Sequence, residues 1–396
     1  MTDLETRVTP GRPGALRRAA PALLGYAAVR ALGLLALAVW SAARDKSAYT
    51  FLTARWDSLW YTRVAELGYG YEVRLPGGDV HSNLAFFPLL PWLERLGAAV
   101  TPLSHADAGF VVAVLASLAA AWGIFAVADH VYGRRAGVCA VLLWAVLPVG
   151  IVQSMAYSES LFTALAAWSL YAVLTGRWVT AGALASLAGL TRPVGLAVTA
   201  AVWAAGITAF VRNRSAASPD GARGPEGAPA GGARLVLGLL LAPLGAAGYV
   251  LWVGHRTGKG PLGYLDVQAG WGNGFDGGVA FARFVAAKFT SFPSALAGVG
   301  LVVGVALLIR LYAVCVRQRQ PLALLVYSGL VAVLALCASS YFGSKPRLLM
   351  PAFPLLLPLA LALARLRTSR SALVVGGVAV ASAVYGALWL NGSGPP

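Results

Sequence analysis

The chain has 396 residues, 58% hydrophobic and only 12% charged, with a net charge of +16 and a mean hydropathy of +0.71. A soluble domain carries charge on about a quarter of its residues, so this chain lacks the polar surface to cover a water-soluble body. Its basic residues are scattered between apolar runs, which excludes the clustered basic module of a nucleic-acid binder and leaves a polytopic membrane bundle.

Residues 1–20 carry Arg7, Arg12, Arg17 and Arg18 and lead into an apolar run at 21–42. No A-x-A-like cleavage site is well placed after it, so it reads as an uncleaved first span. Further apolar runs fall at 108–128, 136–152, 159–175, 178–192, 194–211, 234–254, 291–316, 321–341, 348–365 and 371–391. They predict an all-α protein of about eleven spans. With a cytoplasmic N-terminus and alternating spans, 17 of the 31 Lys and Arg lie on the inner side, against five acidic residues there. That asymmetry follows the positive-inside rule.

The first outer loop, 43–107, is too long to be structureless. It holds an amphipathic stretch near 54–69 and the segment FFPLLPWLERLGA (86–98), predicted to be interfacial or re-entrant. Trp56, Trp60, Tyr61, Tyr69 and Tyr71 suit the headgroup level. Residues 212–233, rich in Ala, Gly and Pro, read as a flexible cytoplasmic linker. It divides an N-terminal half, 1–211, from a C-terminal half, 234–396.

Charges on the outer side of so apolar a chain need reasons. Asp57, between Trp56 and Ser58, is either the N-cap of the amphipathic helix or a poorly hydrated carboxylate fit for general-base work. Glu159, in QSMAYSESLF, either opens a span behind Ser158 as cap or forms a polar rim for a sugar. Arg192 in TRPVG and Lys345 and Arg347 in KPRLLM lie outside, against the charge rule. They are snorkelling anchors or donors to a phosphate. The loop 255–278 offers Gln268 and Trp271 for a carbohydrate, and its glycines lack the spacing of a phosphate loop. Cys139, Cys315 and Cys337 form no disulfide framework. His81, His105, His130 and His255 lie far apart, so no protein-built metal site is expected.

RWDSLWYTRVAELGY followed by NLAFFPLLPWL resembles the hallmark of the second GPI mannosyltransferase family, the PIG-V-like enzymes and their bacterial relatives. The pattern R-W-D-[ST]-x-[WY]-[YF], then A-x-x-G-Y and A-F-F-P, is matched at Arg55, Trp56, Asp57, Ser58, Tyr61, Ala65, Gly68, Tyr69, Ala85, Phe86, Phe87, Pro88 and Pro91. AYSESLF resembles a further family segment at Tyr157, Glu159 and Phe162, and TRPVG and KPRLLMPAFPLL resemble weaker ones. The linker at 212–233 departs from the family pattern.

The resemblance implies a GT-C-type glycosyltransferase that uses polyprenyl-phosphate-mannose on the non-cytoplasmic side. It implies Asp57 as base, transfer with inversion, and Arg192, Lys345 and Arg347 on the donor phosphate. Arg55, Trp56, Tyr61, Tyr157, Glu159, Gln268 and Trp271 are then expected around the sugar or acceptor. In a bacterium the membrane would be the plasma membrane. No organic cofactor is implied, and a divalent ion held by Asp57 and the donor phosphate stays open. The alternative is a transporter or flippase of a lipid-linked sugar, which two halves with matching broken helices would mark. No internal repeat is evident in the sequence.

Overall fold

A computed structural model describes residues 14–216, 229–392 and 394. The first helix, α1 (Ala15–Ala42), enters the bundle directly. The segment 43–107 expected to be the first outer loop then folds as α2 (Ala48–Thr53), α3 (Asp57–Leu67), a hairpin of β1 (Glu72–Arg74) and β2 (Val80–Ser82), and α4 (Leu89–Val100). In the hairpin Glu72 pairs with Ser82 and Arg74 with Val80. The expected amphipathic and interfacial helices are therefore α3 and α4.

The helices α5 (His105–Tyr132), α6 (Arg134–Ala145), α7 (Ser158–Leu174), α8 (Trp178–Gly189) and α9 (Gly195–Ala216) complete the first half. Next come α10 (Pro229–Leu241), α11 (Leu244–Thr257), α12 (Gly263–Gly270), β3 (Gly274–Phe275), α13 (Val279–Ala287), α14 (Ser294–Arg317) and α15 (Leu322–Cys337). The chain ends with β4 (Ala338–Ser339), α16 (Lys345–Leu349), α17 (Leu357–Arg365) and α18 (Thr368–Leu390). β3 pairs antiparallel with β4.

Among the described residues six helices are long and apolar enough to cross a membrane. A seventh span arises if the bent pair Phe342–Leu349 and Phe353–Arg365, folded by 74°, is one span. Three shorter apolar helices, α7, α8 and α15, join them. The expected eleven spans thus become fewer long spans and several short helices. The run 136–152 shows why. Pro148 follows the end of α6, and 12 helical residues cover only about 18 Å of a hydrocarbon core about 30 Å thick. The centre of the expected linker, 217–228, lies outside the described residues, and α9 and α10 carry helix into both of its ends.

Close packing rests on small residues, as between membrane helices generally. α8 meets α10 at Gly182 and Gly238: a Cβ on Gly182 would lie 2.1 Å from the Gly238 carbonyl oxygen. Inside the first half, Tyr26 stacks on Trp144 at 5.5 Å, and Arg30 donates to the Gly150 and Ala145 carbonyls.

The bundle has two chemically different ends. At one, Arg18 pairs with Asp129 at 2.8 Å, and Arg135 donates to the Leu366 carbonyl. At the other, α2, α3, α4 and the hairpin cover the starts of α5 and α7, and His105 lies 3.8 Å from Glu66. The candidate site is at this second end.

Candidate active site

The turn before α3 is set by one unusual residue. Trp56 has φ 55° and ψ −125°, a left-handed backbone that a non-glycine residue seldom adopts. Its ring stacks near Phe51 at 6.2 Å, and the Arg55 guanidinium lies 4.3 Å from the Trp56 ring. Ser58 closes the turn: its hydroxyl donates to the Arg55 carbonyl at 2.6 Å and accepts from the Arg55 amide at 3.0 Å. These contacts fix the direction in which Asp57 leaves the backbone.

Asp57 is the first residue of α3, not its cap; the cap position belongs to Trp56, which makes no side-chain capping bond. The Asp57 amide donates to the Tyr157 hydroxyl at 3.3 Å. Its carboxylate lies 2.8 Å from Nη1 of Arg347. The same correction applies at α7. Tyr157, not Ser158, is the cap residue there, and the Ser158 hydroxyl instead meets the Tyr61 hydroxyl at 2.7 Å, tying α3 to α7. Burial pushes the Tyr61 phenol well above its ordinary range.

Arg347 joins two acids. Its Nη1 faces Asp57, and its Nε lies 3.2 Å from Oε1 of Glu159. Glu159 also pairs with Arg192, which arrives in the short connection between α8 and α9. That connection is anchored to the outer loop, because the Leu89 amide donates to the Leu190 carbonyl at 3.0 Å. The result is an alternating row of Asp57, Arg347, Glu159 and Arg192, with no net charge. Glu159 is almost closed off, at 2% side-chain exposure, whereas Asp57 is 30% exposed and is the row's open end. The Arg347 guanidinium also rests 5.1 Å from the Tyr157 ring. Its Nε and Nη1 are held in these two ion pairs, although neither contact is aligned as a hydrogen bond.

Other expected residues sit elsewhere. Lys345 donates to the Ala335 and Ala338 carbonyls at 2.7 and 2.8 Å and lies 5.0 Å from the Phe281 ring. Its ammonium is thus taken up by the backbone where α15 ends, apart from the Asp57 row. Gln268 donates to the Tyr264 hydroxyl and accepts from Asn273. Trp271 donates to the Ser82 carbonyl at 3.0 Å and packs on Trp60, Phe86 and His81 at 4.8, 5.4 and 4.1 Å. Gln268 and Trp271 therefore brace the hairpin and α3 from the far side of Phe86, and Phe86 itself touches Tyr61 at 5.1 Å.

One residue escaped the sequence reading. Glu94 on α4 is fully buried and neither carboxyl oxygen has a hydrogen-bond partner. Burial, then the nearby Glu66, holds its carboxyl well above the usual carboxylate range. The signal was its spacing, since Leu90 and Glu94 lie on one buried face of α4. No group of three or more His, Cys, Asp or Glu side chains able to hold a metal occurs among the described residues. The two clustered acids face arginines, so a cation at Asp57 would have to displace Arg347.

The fold and this row invite comparison with known proteins. A family model described as dolichyl-phosphate-mannose-protein mannosyltransferase matches residues 83–218, about a third of the chain. The matched stretch contains Tyr157, Glu159 and Arg192, and stops short of Asp57 on one side and Arg347 on the other. ArnT from Cupriavidus metallidurans bound to undecaprenyl phosphate aligns with a TM-score of 0.50 at 15% identity, over 92% of this chain and 63% of that one. The same protein in the apo state aligns with a TM-score of 0.50 at 16% identity, over 82% of this chain and 58% of that one. The apo oligosaccharyltransferase of Archaeoglobus fulgidus aligns at 14% identity with a TM-score of 0.49, over 94% of this chain and 56% of that one. No curated protein matches the chain in sequence. The chain thus spans less than two thirds of the length of these solved proteins. Its fold is an all-α polytopic bundle of GT-C type.

Proposed function

We propose that the protein is an integral-membrane glycosyltransferase that moves a mannosyl residue from polyprenyl-phosphate-mannose to an acceptor hydroxyl. The observation that carries this reading is the partly exposed Asp57 carboxylate at the open end of a row that also holds the buried Arg347 and the partly buried Arg192. In this reading Asp57 takes the proton of the acceptor hydroxyl as its oxygen bonds to the anomeric carbon. The bond from that carbon to the phosphate oxygen breaks, and polyprenyl phosphate leaves from the opposite face with the electron pair, inverting the centre. Arg347 and Arg192 hold the phosphate and its growing charge. Arg347 suits the task because it lies against Asp57 at the open end of the row and a guanidinium matches phosphate oxygens in a two-pronged contact.

Glu159 keeps the two guanidinia close together, which like charges would otherwise resist. Arg55, Trp56, Tyr61 and Tyr157 border the turn that presents Asp57 and form the wall against the sugar or acceptor. The family match over 83–218 supports a mannosyl donor, and ArnT bound to undecaprenyl phosphate supports a polyprenyl carrier. The RWDS motif supports kinship with the PIG-V-like enzymes. The charge asymmetry of the loops supports a cytoplasmic N-terminus and a site on the outer side of a plasma membrane.

The test is purified protein in liposomes with labelled polyprenyl-phosphate-mannose and a panel of hydroxylated lipids and mannosides. A new glycosidic bond and stoichiometric release of polyprenyl phosphate are expected. Movement of the intact donor across the bilayer without bond formation would instead identify a flippase.

A further inference from the structure

The end of the bundle opposite Asp57 has a groove that the transfer reaction does not use. It lies between the last third of α14 and α17, encloses about 410 Å³, and is walled by Leu311, Val314, Pro358 and Leu361. That volume is within the roughly 300–1,000 Å³ of ordinary small-molecule sites. Two exposed guanidinia, Arg310 and Arg365, border it. Its place in the bundle follows from contacts: Arg135 donates to the carbonyl of Leu366, next to Arg365, in the region where Arg18 holds Asp129.

Among the described residues Arg310 has no acidic partner to hold it. It sits seven residues before the end of α14, about 10 Å inside a helix that has the length and composition of a membrane span. Neither Arg310 nor Arg365 forms an ion pair among the described residues. The nearby acid, Asp129, is spent on Arg18 at 2.8 Å. An ionisable side chain at membrane depth is costly and is retained where something compensates it. Two unpaired arginines over an apolar groove between membrane helices match a phospholipid in both of its parts.

We propose that this groove binds an anionic glycerophospholipid, with one acyl chain along Leu311, Val314 and Leu361 and the phosphate between Arg310 and Arg365. The occupant is a bilayer lipid and not the sugar donor, because the groove and the Asp57 row lie at opposite ends of the bundle. The inference is therefore independent of the proposed transfer reaction.

The experiment is native mass spectrometry of the full chain in detergent, titrated with phosphatidylglycerol, phosphatidylcholine or inorganic phosphate. Phosphatidylglycerol should be retained over phosphatidylcholine. Arg310→Gln with Arg365→Gln should weaken its retention about 30-fold, at roughly 1 kcal/mol per arginine. Leu361→Trp, which fills the groove and leaves both charges, should also weaken it, whereas Arg370→Gln should leave it unchanged. A melting temperature on each variant separates binding from folding. Equal retention of phosphatidylcholine, an unaffected double variant, or displacement of the lipid by inorganic phosphate would overturn the proposal.

Discussion

Arg347→Lys tests the row most sharply, because it keeps the charge and removes the geometry. Arg347 reaches two acids at once, Asp57 through Nη1 at 2.8 Å and Glu159 through Nε at 3.2 Å. An ammonium is a single point of charge and cannot span both oxygens in the same way. A hydrogen-bonded contact to a charged group contributes about 1.5–3 kcal/mol, and these two ion pairs, which are not aligned as hydrogen bonds, fall at the low end of that range. Asp57 is 30% exposed, so solvent screening places its contact at the low end of that range. A second prong lost to the donor phosphate adds a similar amount. The sum is about 2–3 kcal/mol, or roughly 30- to 150-fold in kcat/KM.

The melting temperature should fall modestly, since the charge balance of the row is kept and an ammonium still reaches one of the two carboxylates. Arg347→Met differs: it leaves two carboxylates with one cation, and losing one partner of a buried pair costs about 3–5 kcal/mol of stability. Transfer kinetics and thermal unfolding on both variants are the assay, with Asp57→Asn/Arg347→Lys added to measure coupling. If Arg347→Lys transfers within threefold of the parent at an equal melting temperature, the two-sided contact has no part in catalysis and the argument fails.

Two further outcomes follow from the rest of the outer face. Glu94 has a raised carboxyl value with Glu66, Arg95 and His105 nearby on the helices it packs with or belongs to. The unfolded chain ionises near its ordinary value of 4.5, so the pH-dependent cost of holding the carboxyl neutral is absent below that pH, and stability is lost as pH rises through the higher folded value. Glu94→Gln should therefore match the parent in melting temperature at pH 4 and exceed it increasingly above pH 5, by at most about 3 kcal/mol at pH 7; a gap independent of pH would contradict this. Lys345→Met removes the donor to the Ala335 and Ala338 carbonyls and should cost about 1–3 kcal/mol of stability. Donor affinity, measured by titration with polyprenyl-phosphate-mannose, should stay unchanged, and a loss of affinity at equal stability would return Lys345 to the phosphate.

The separate pieces of the row were legible because each is a charge beside an apolar run, in a segment that the positive-inside reading of the sequence assigns to the side where charge is not required. Asp57, Glu159, Arg192 and Arg347 stood out singly for that reason. Their convergence was not legible, since nothing in an apolar run says which helix it packs beside. The pairing of Lys345 with Arg347 shows the limit well. Two residues apart on the short helix α16 they are rotated by about 200°, so one faces Glu159 and the other faces the end of α15. The capping alternative does not hold at Asp57 or Ser158, because a bulky Trp56 in a left-handed backbone and a buried Tyr157 take the cap positions and give no cap signal in sequence. The all-α membrane class followed from composition together with the length of the apolar runs. The span count did not, because interruptions such as Pro148 cut apolar runs into helices too short to cross.

Asp57 is the proposed base. The most direct measurement is the rate of mannosyl transfer from polyprenyl-phosphate-mannose by Asp57→Asn beside the parent, with donor affinity measured on both. Asparagine keeps the shape and loses the proton-accepting charge, so transfer should fall by about 10²- to 10⁴-fold while the donor still binds. Transfer at the parent's rate, with the donor bound equally well, would remove Asp57 from the chemistry.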